Sequence, residues 1–423
     1  MTTFFEKIKH LFQDRVLRNR VLFVLGALLV FRLMAVIPIP GVNQAALANF
    51  LNGNQFFGLL NIFSGGGLST LSIVMLGVGP YITASIIMQL VTMMSDSVKQ
   101  MYQEEGEAGR KRFAQYTRLL TVPLAFIQAF SFIVLLQKQG IVEALGAFDI
   151  FRNVIVIVGG SMLLMWIGEL MTEFGIGNGL SMLIFAGIVA RIPQAIGQLK
   201  VVYDPSQLPT YVGLFVAAVL IIYAVVYITE AERAIPVTYA KQVRGGKVYG
   251  GASTYLPLRL NQAGVIPIIF ALSILLLPQL LFNLLSYTHN EIVSSISKGI
   301  SAFLANPWWY AGAYFVLVFL FTFFYTAVTF DPQSISTNLQ KNGAFIPGVR
   351  PGDPTSLYLS KVVTRITLVG ALFLGIIAVL PPLVHAFTGI QAITIGGTAL
   401  LIVVSVVLDI VKKVDAQLSM REY

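Results

Sequence analysis

Apolar residues fall in ten runs, near positions 21–38, 73–94, 118–136, 153–171, 180–198, 211–229, 262–282, 308–330, 366–384 and 391–411. A helix needs roughly 20 residues to cross a bilayer, so the pattern predicts an all-α polytopic membrane protein with ten transmembrane helices. The first run, Val21 to Pro38, is long for a signal-peptide core and lacks a small-residue cleavage site, so it reads as a retained span. One stretch breaks the rhythm. Asn61-Ile62-Phe63-Ser64-Gly65-Gly66-Gly67-Leu68-Ser69-Thr70 leads into an apolar run interrupted by Gly77, Gly79 and Pro80. Its first part, about 56–70, is too short to span a bilayer, and three consecutive glycines disfavour helix. Such irregular backbone survives at membrane depth only if buried in protein or lining a watery cavity. The stretch is therefore either an outer loop or a re-entrant plug.

Composition supports the membrane class. The chain has 423 residues, 56% hydrophobic and 11% charged, with a mean hydropathy of +0.80, more apolar surface than a soluble core hides. The net charge of +9 reports topology before it reports nucleic acid. With the N-terminus inside, the predicted cytoplasmic segments hold 22 Lys and Arg, and the outer loops only Lys138, Arg152, Lys200 and Lys298. Both termini are thus expected in the cytoplasm. Ten spans broken after the fifth would make two inverted five-helix halves around a central pathway, 21–200 and 211–411, joined by an outer hinge at 201–210. The tails are 1–20 and 412–423, and the larger cytoplasmic loops of the second half are 230–261 and 331–365. No repeat between the halves is visible in the sequence.

The spans are poor in chemistry. Glu169 and Asp409 lie toward cytoplasmic ends and Arg191 toward an outer end. Arg32 is deeper, within snorkelling reach of the outer surface, and calls for a partner or water. His10, His289 and His385 fall outside the spans, and cysteine is absent. No HExxH, GxSxG or carboxylate pair occurs, so no catalytic residue, cofactor or metal site is expected. A five-plus-five secondary transporter for a small solute shares the topology but predicts an acid near the midplane, which is missing. An intramembrane enzyme would need a nucleophile–base pair.

Aliphatic residues at helical spacing stand beside helix breakers: Val78 and Ile82 around Pro80, Leu180 and Ile184 after Gly177-Asn178-Gly179, Ile269 after Pro267, Ile402 after Gly396-Gly397. Spacing alone does not separate these from residues facing lipid. The cytoplasmic loops say more. Two β-favouring stretches flank Gly245-Gly246, predicting a basic hairpin with Lys241, Arg244 and Lys247. Lys341 to Gly352 alternates Pro and Gly around Arg350, which predicts fixed turns. Two ordered basic loops on one face suggest a docking platform.

These residues make the chain recognisable. Ile37-Pro38-Ile39-Pro40-Gly41, Phe63-Ser64-Gly65-Gly66, Pro80-Tyr81-Ile82, Gly175-Ile176-Gly177-Asn178-Gly179, Leu260 to Pro267, Asn342 to Gly352 and Gly396-Gly397-Thr398 occur in the order seen in bacterial SecY. Over essentially its whole length the chain resembles that family, the channel subunit of the Sec protein translocase. The resemblance implies a pore ring of Val78, Ile82, Leu180, Ile184, Ile269 and Ile402, with Val78 and Leu180 departing from the usual isoleucine. It implies a plug containing Asn61, Ile62, Phe63, Ser64, Gly65, Gly66, Gly67 and Leu68, and a lateral gate between spans 2 and 7. Gln89 and Asn261 would be the polar members of that gate, and Thr83 and Leu277 would face each other across it. The basic loops, with Arg350 foremost, would dock the SecA ATPase and the ribosome. The implied setting is the bacterial plasma (inner) membrane, with SecE and SecG as small membrane subunits. Unfolded preproteins with their signal sequences would be the substrates, and membrane lipids would receive released segments.

Overall fold

The structure, a computed structural model, describes residues 14–40, 64–103, 105–142, 146–190, 208–239, 253–285, 306–388 and 397–419. Shorter described pieces lie at 46–47, 61, 192–193, 197, 242–244, 247–249, 295–296, 299 and 302–303.

A helix occupies each apolar run. In the first half these are α1 (Arg15–Val36), α2 (Gly79–Met94), α4 (Gly106–Lys138), α5 (Ala147–Phe174) and α6 (Gly179–Val189), with a short polar α3 (Asp96–Gln103) after α2. In the second half they are α7 (Leu208–Glu230), α8 (Ile266–Leu285), α9 (Pro307–Thr329), α11 (Asp353–Thr388) and α12 (Gly397–Ser419), with α10 (Pro332–Lys341) after α9. Side chains start several of them. Asp14 accepts from the Val16 amide at 2.8 Å, Asn178 from Ser181 at 3.2 Å, and Asp331 from Gln333 at 3.0 Å. Each satisfies an amide that the first turn leaves without a partner. Among the described residues, six helices are long and apolar enough to cross a membrane by length and composition, and α2, α6 and the first part of α8 are shorter apolar helices.

Two of the boundaries that differ from the sequence pattern have a clear cause. The run expected at 73–94 becomes helical only at Gly79, because 64–71 and 73–78 form turns. Gly77 there has φ +57°, a left-handed value that helix excludes, and Pro80 suits the first turn that follows. The run expected at 366–384 starts instead at Asp353. Its added turns bury Leu359, Val362 and Val363 against Ile235, Val237 and Leu258 of a small sheet.

That sheet has the order β4-β1-β5, from β1 (Glu232–Tyr239), β4 (Ser253–Arg259) and β5 (Ala344–Phe345). Its long pairing is antiparallel, Glu232 opposite Arg259 through Thr238 opposite Ser253. Pro236 is tolerated in the middle strand because β5 covers only Thr238 and Tyr239. The expected hairpin forms as β2 (Gln242–Arg244) against β3 (Lys247–Tyr249), with Arg244 opposite Lys247.

Packing follows one scheme twice. In the first half α2 packs on α4, α4 on α5, α5 on α6 and α6 on α1. In the second, α8 packs on α9, α9 on α11, α11 on α12 and α12 on α7. Among the described residues the halves meet along two main seams. At one, α8 lies against α2 and α4; at the other, α12 lies against α6.

Candidate functional site

The six aliphatic positions lie on α2, α6, α8 and α12, which build the two seams together with α4, Val78 standing just before the first turn of α2. Val78, Ile184, Ile269 and Ile402 are buried in one apolar cluster, and Ile82 and Leu180 pack on it half-buried. Leu180 turns part of its side chain to α5, where its Cδ2 stands 2.8 Å from the place a Cβ on Gly168 would occupy. Aliphatic side chains make no directional bonds, so such a cluster seals by contact and by excluding water.

On the sheet side of the cluster lies an open cavity of about 320 Å³. Its lining sits one helical turn from the aliphatic position on three helices: Ser181 beside Ile184, Ile266 beside Ile269, Ser405 beside Ile402. Asn261, 6% exposed, also lines it and donates from Nδ2 to the Gly264 carbonyl at 3.3 Å. Asn261 Oδ1 and Ser405 Oγ are buried without a hydrogen-bond partner among the described residues, as is Oε1 of Gln89 on α2. Gln89 Nε2 donates to Ser85 at 3.2 Å.

On the other side of the cluster lies the Asn61–Thr70 segment. The Ser69 amide donates to Asn61 Oδ1 at 2.9 Å, the Ser64 hydroxyl to the Asn61 carbonyl at 3.1 Å, and the Leu68 amide to Ser64 Oγ at 3.2 Å. These bonds knit Asn61 and residues 64–69 together. Gly65, at φ +69°, faces Phe31 of α1 and Gly187 of α6. Arg32 Nη1 donates to the Gly65 carbonyl at 2.8 Å, a partner for the deep arginine that sequence alone did not name. Along α6 the order is therefore Ser181 at the cavity, Ile184 in the cluster and Gly187 under the segment, roughly 9 Å of helix at 1.5 Å per residue. Ile62 and Phe63 lie outside the described residues.

Thr83 is buried on α2. Its hydroxyl donates to the Gly79 carbonyl at 3.0 Å and accepts from Gln128 Nε2 on α4 at 3.5 Å. Gln128 escaped the sequence reading; an amide in the middle of an apolar run was the available signal. Leu277 is on α8, but its side chain lies outside the described residues. Ion pairs tie neighbouring helices together: Arg118 to Glu169 at 2.7 Å between α4 and α5, Lys412 to Glu230 at 2.8 Å between α12 and α7. All four side chains are partly exposed, so each pair contributes at most about 1 kcal/mol.

Arg350 is exposed at the sheet end. Its carbonyl accepts from the Thr355 hydroxyl at 2.7 Å, and the neighbouring Gly352 carbonyl from Ser336 at 2.6 Å. The Pro/Gly loop is thus pinned to α10 and α11. Lys241 lies outside the described residues, as do the side chains of Arg244 and Lys247; so does most of the 201–210 hinge.

Residues 72–411 match the SecY family model. A protein translocase subunit SecY from Mycobacterium tuberculosis (strain CDC 1551 / Oshkosh) is 42% identical over 96% of this chain and 96% of its own. That of Thermotoga maritima is 41% identical over 99% and 96%. A solved structure of a SecY protein, whose plug domain is described as stabilising the closed translocation channel and maintaining a membrane seal, superposes with a TM-score of 0.63 at 21% identity, covering 93% of this chain and 90% of that one.

Proposed function

The chain belongs to the SecY family, and on that premise we propose that its two seams enclose the pore of a protein translocase, sealed at rest by Val78, Ile82, Leu180, Ile184, Ile269 and Ile402. The chain is a protein-conducting channel embedded in a membrane. The observation that carries the proposed pore is the axial order on α6: cavity, aliphatic cluster, compact glycine-rich segment.

In this reading the ten helices all span the plasma (inner) membrane, as two inverted halves with both termini cytoplasmic. The twice-repeated packing scheme supports the halves. The cavity is the cytoplasmic entrance and Asn61–Thr70 is the plug on the outer side. An unfolded preprotein carries every kind of side chain, and an aliphatic ring closes around any of them because it offers no fixed bond to satisfy. The α2–α8 seam is the lateral gate, through which a signal sequence or membrane segment partitions into lipid. Gln89 and Asn261, each with an unsatisfied carbonyl oxygen, are polar positions that a passing chain or water can satisfy. Energy comes from outside the chain, from SecA or the ribosome at the sheet and the Arg350 loop, with SecE and SecG completing the channel.

Reconstitution with its membrane partners tests this. Vesicles should take up an unfolded preprotein and show no saturable uptake of small solutes. Solute uptake without preprotein transport would return the chain to the secondary-transporter reading.

A further inference from the structure

We propose that Arg32 is the latch that holds the plug closed, and that the Ile37–Ile39 and Leu71–Ile73 backbone is the hinge about which the plug leaves. The inference rests on reading Asn61–Thr70 as the plug.

Two kinds of bond tie this region to α1 and to the residues just past its end. At the near end the ties are mainly backbone. The Ile39 amide donates to the Leu71 carbonyl at 2.8 Å and the Ile73 amide to the Ile37 carbonyl at 3.0 Å, forming an antiparallel bridge at Pro38 and Ser72. The Thr70 hydroxyl adds a bond to the Ala35 carbonyl at 2.8 Å. Leu71 is buried and held at φ +42°, a strained value for leucine that persists only because its surroundings determine it. At the far end, among the described residues, the polar tie is one side-chain bond, Arg32 to the Gly65 carbonyl.

The bonds within the segment, from Asn61 to Gly66 and Ser69 and from Ser64 to Leu68, move with it. They need not break when it swings. The Arg32 bond must. No acidic side chain among the described residues pairs with Arg32, so a neutral carbonyl holds the guanidinium. That is strong enough to bias the plug, since the donor is charged and half-buried, and cheap to undo once water reaches the side chain.

Resting ion conductance of the full channel complex in planar bilayers reads the latch. Arg32→Gln should raise it about tenfold, the scale of one lost charge-assisted bond, and Arg32→Lys should raise it less. The decisive comparison removes residues 62–68, an excision whose flanks Asn61 and Ser69 already stand in contact. The shortened channel should leak, and Arg32→Gln should then add nothing. If Arg32→Gln multiplies the leak equally in both backgrounds, it acts on the fold and the latch is wrong. If excision leaks but Arg32→Gln in the full chain does not, the plug stands without this latch. If excision itself causes no leak, the plug reading falls, and the latch with it.

Discussion

Gly65 lies so close to Gly187 that a Cβ added to the first would stand 3.3 Å from the Cα of the second. The glycine-rich segment is thus seated on α6 one turn beyond Ile184, which belongs to the aliphatic cluster. A contact between two backbones without side chains is sensitive to any added atom.

Gly65→Val should therefore unseat the plug. A β-branched residue at φ +69° is disfavoured by roughly 1–2 kcal/mol, and its Cβ would run into Phe31. Resting ion leak should rise while preprotein transport persists. A tight channel carrying this substitution would place the segment away from the seal.

Ile402→Asn tests the seal. Ile402 is 1% exposed, and a buried amide without partners costs about 1–3 kcal/mol on protein scales. Admitting water relieves that cost, so the closed state should weaken. Conductance should rise and preproteins with defective signals should pass. Unchanged selectivity would assign Ile402 to helix packing alone.

Arg350→Glu separates docking from folding. The side chain is exposed and the loop is held by Thr355 and Ser336, so stability should change by less than about 0.5 kcal/mol. ATP-driven preprotein import into vesicles should be lost. Wild-type import would end the docking role of this arginine.

The proposed lateral gate lends itself to a covalent test because the chain has no native cysteine. α8 packs against α2, so in the double variant Thr83→Cys/Leu277→Cys oxidation should join the helices, given Cα atoms within about 7 Å. Transport should stop and return on reduction, and a longer flexible crosslinker should permit more activity than the short bond. If the linked channel transports normally, preproteins do not need this seam to open.

Much of this was legible in the residues themselves. Ten apolar runs predicted ten helices, and Gly65-Gly66-Gly67 foretold a stretch that would not be helical. The Val243-Arg244 and Lys247-Val248 stretches foretold a hairpin. These are local properties, set by backbone freedom and by hydrophobic length over a few neighbouring residues. One misplaced edge is local too and the other is not. Gly77 delayed α2 through one left-handed φ, and α11 began early because Leu359 and Val362 found a sheet to cover.

The site was different in kind. Nothing in the spacing of Ile184, Ile269 and Ile402 separates them from other aliphatic residues in apolar helices, since burial beside a seam and burial beside lipid demand the same side chain. Arg32 was conspicuous as a deep charge, but its partner is a carbonyl 33 positions away, and every residue has a carbonyl. By itself the sequence determined the class, the helices and the irregular segment, because hydrophobicity and glycine act where they stand. Only the tertiary structure decided which helices share a seam, what lies on either side of Ile184 and what Arg32 holds. Those depend on contacts between residues far apart in the chain, which no local pattern records.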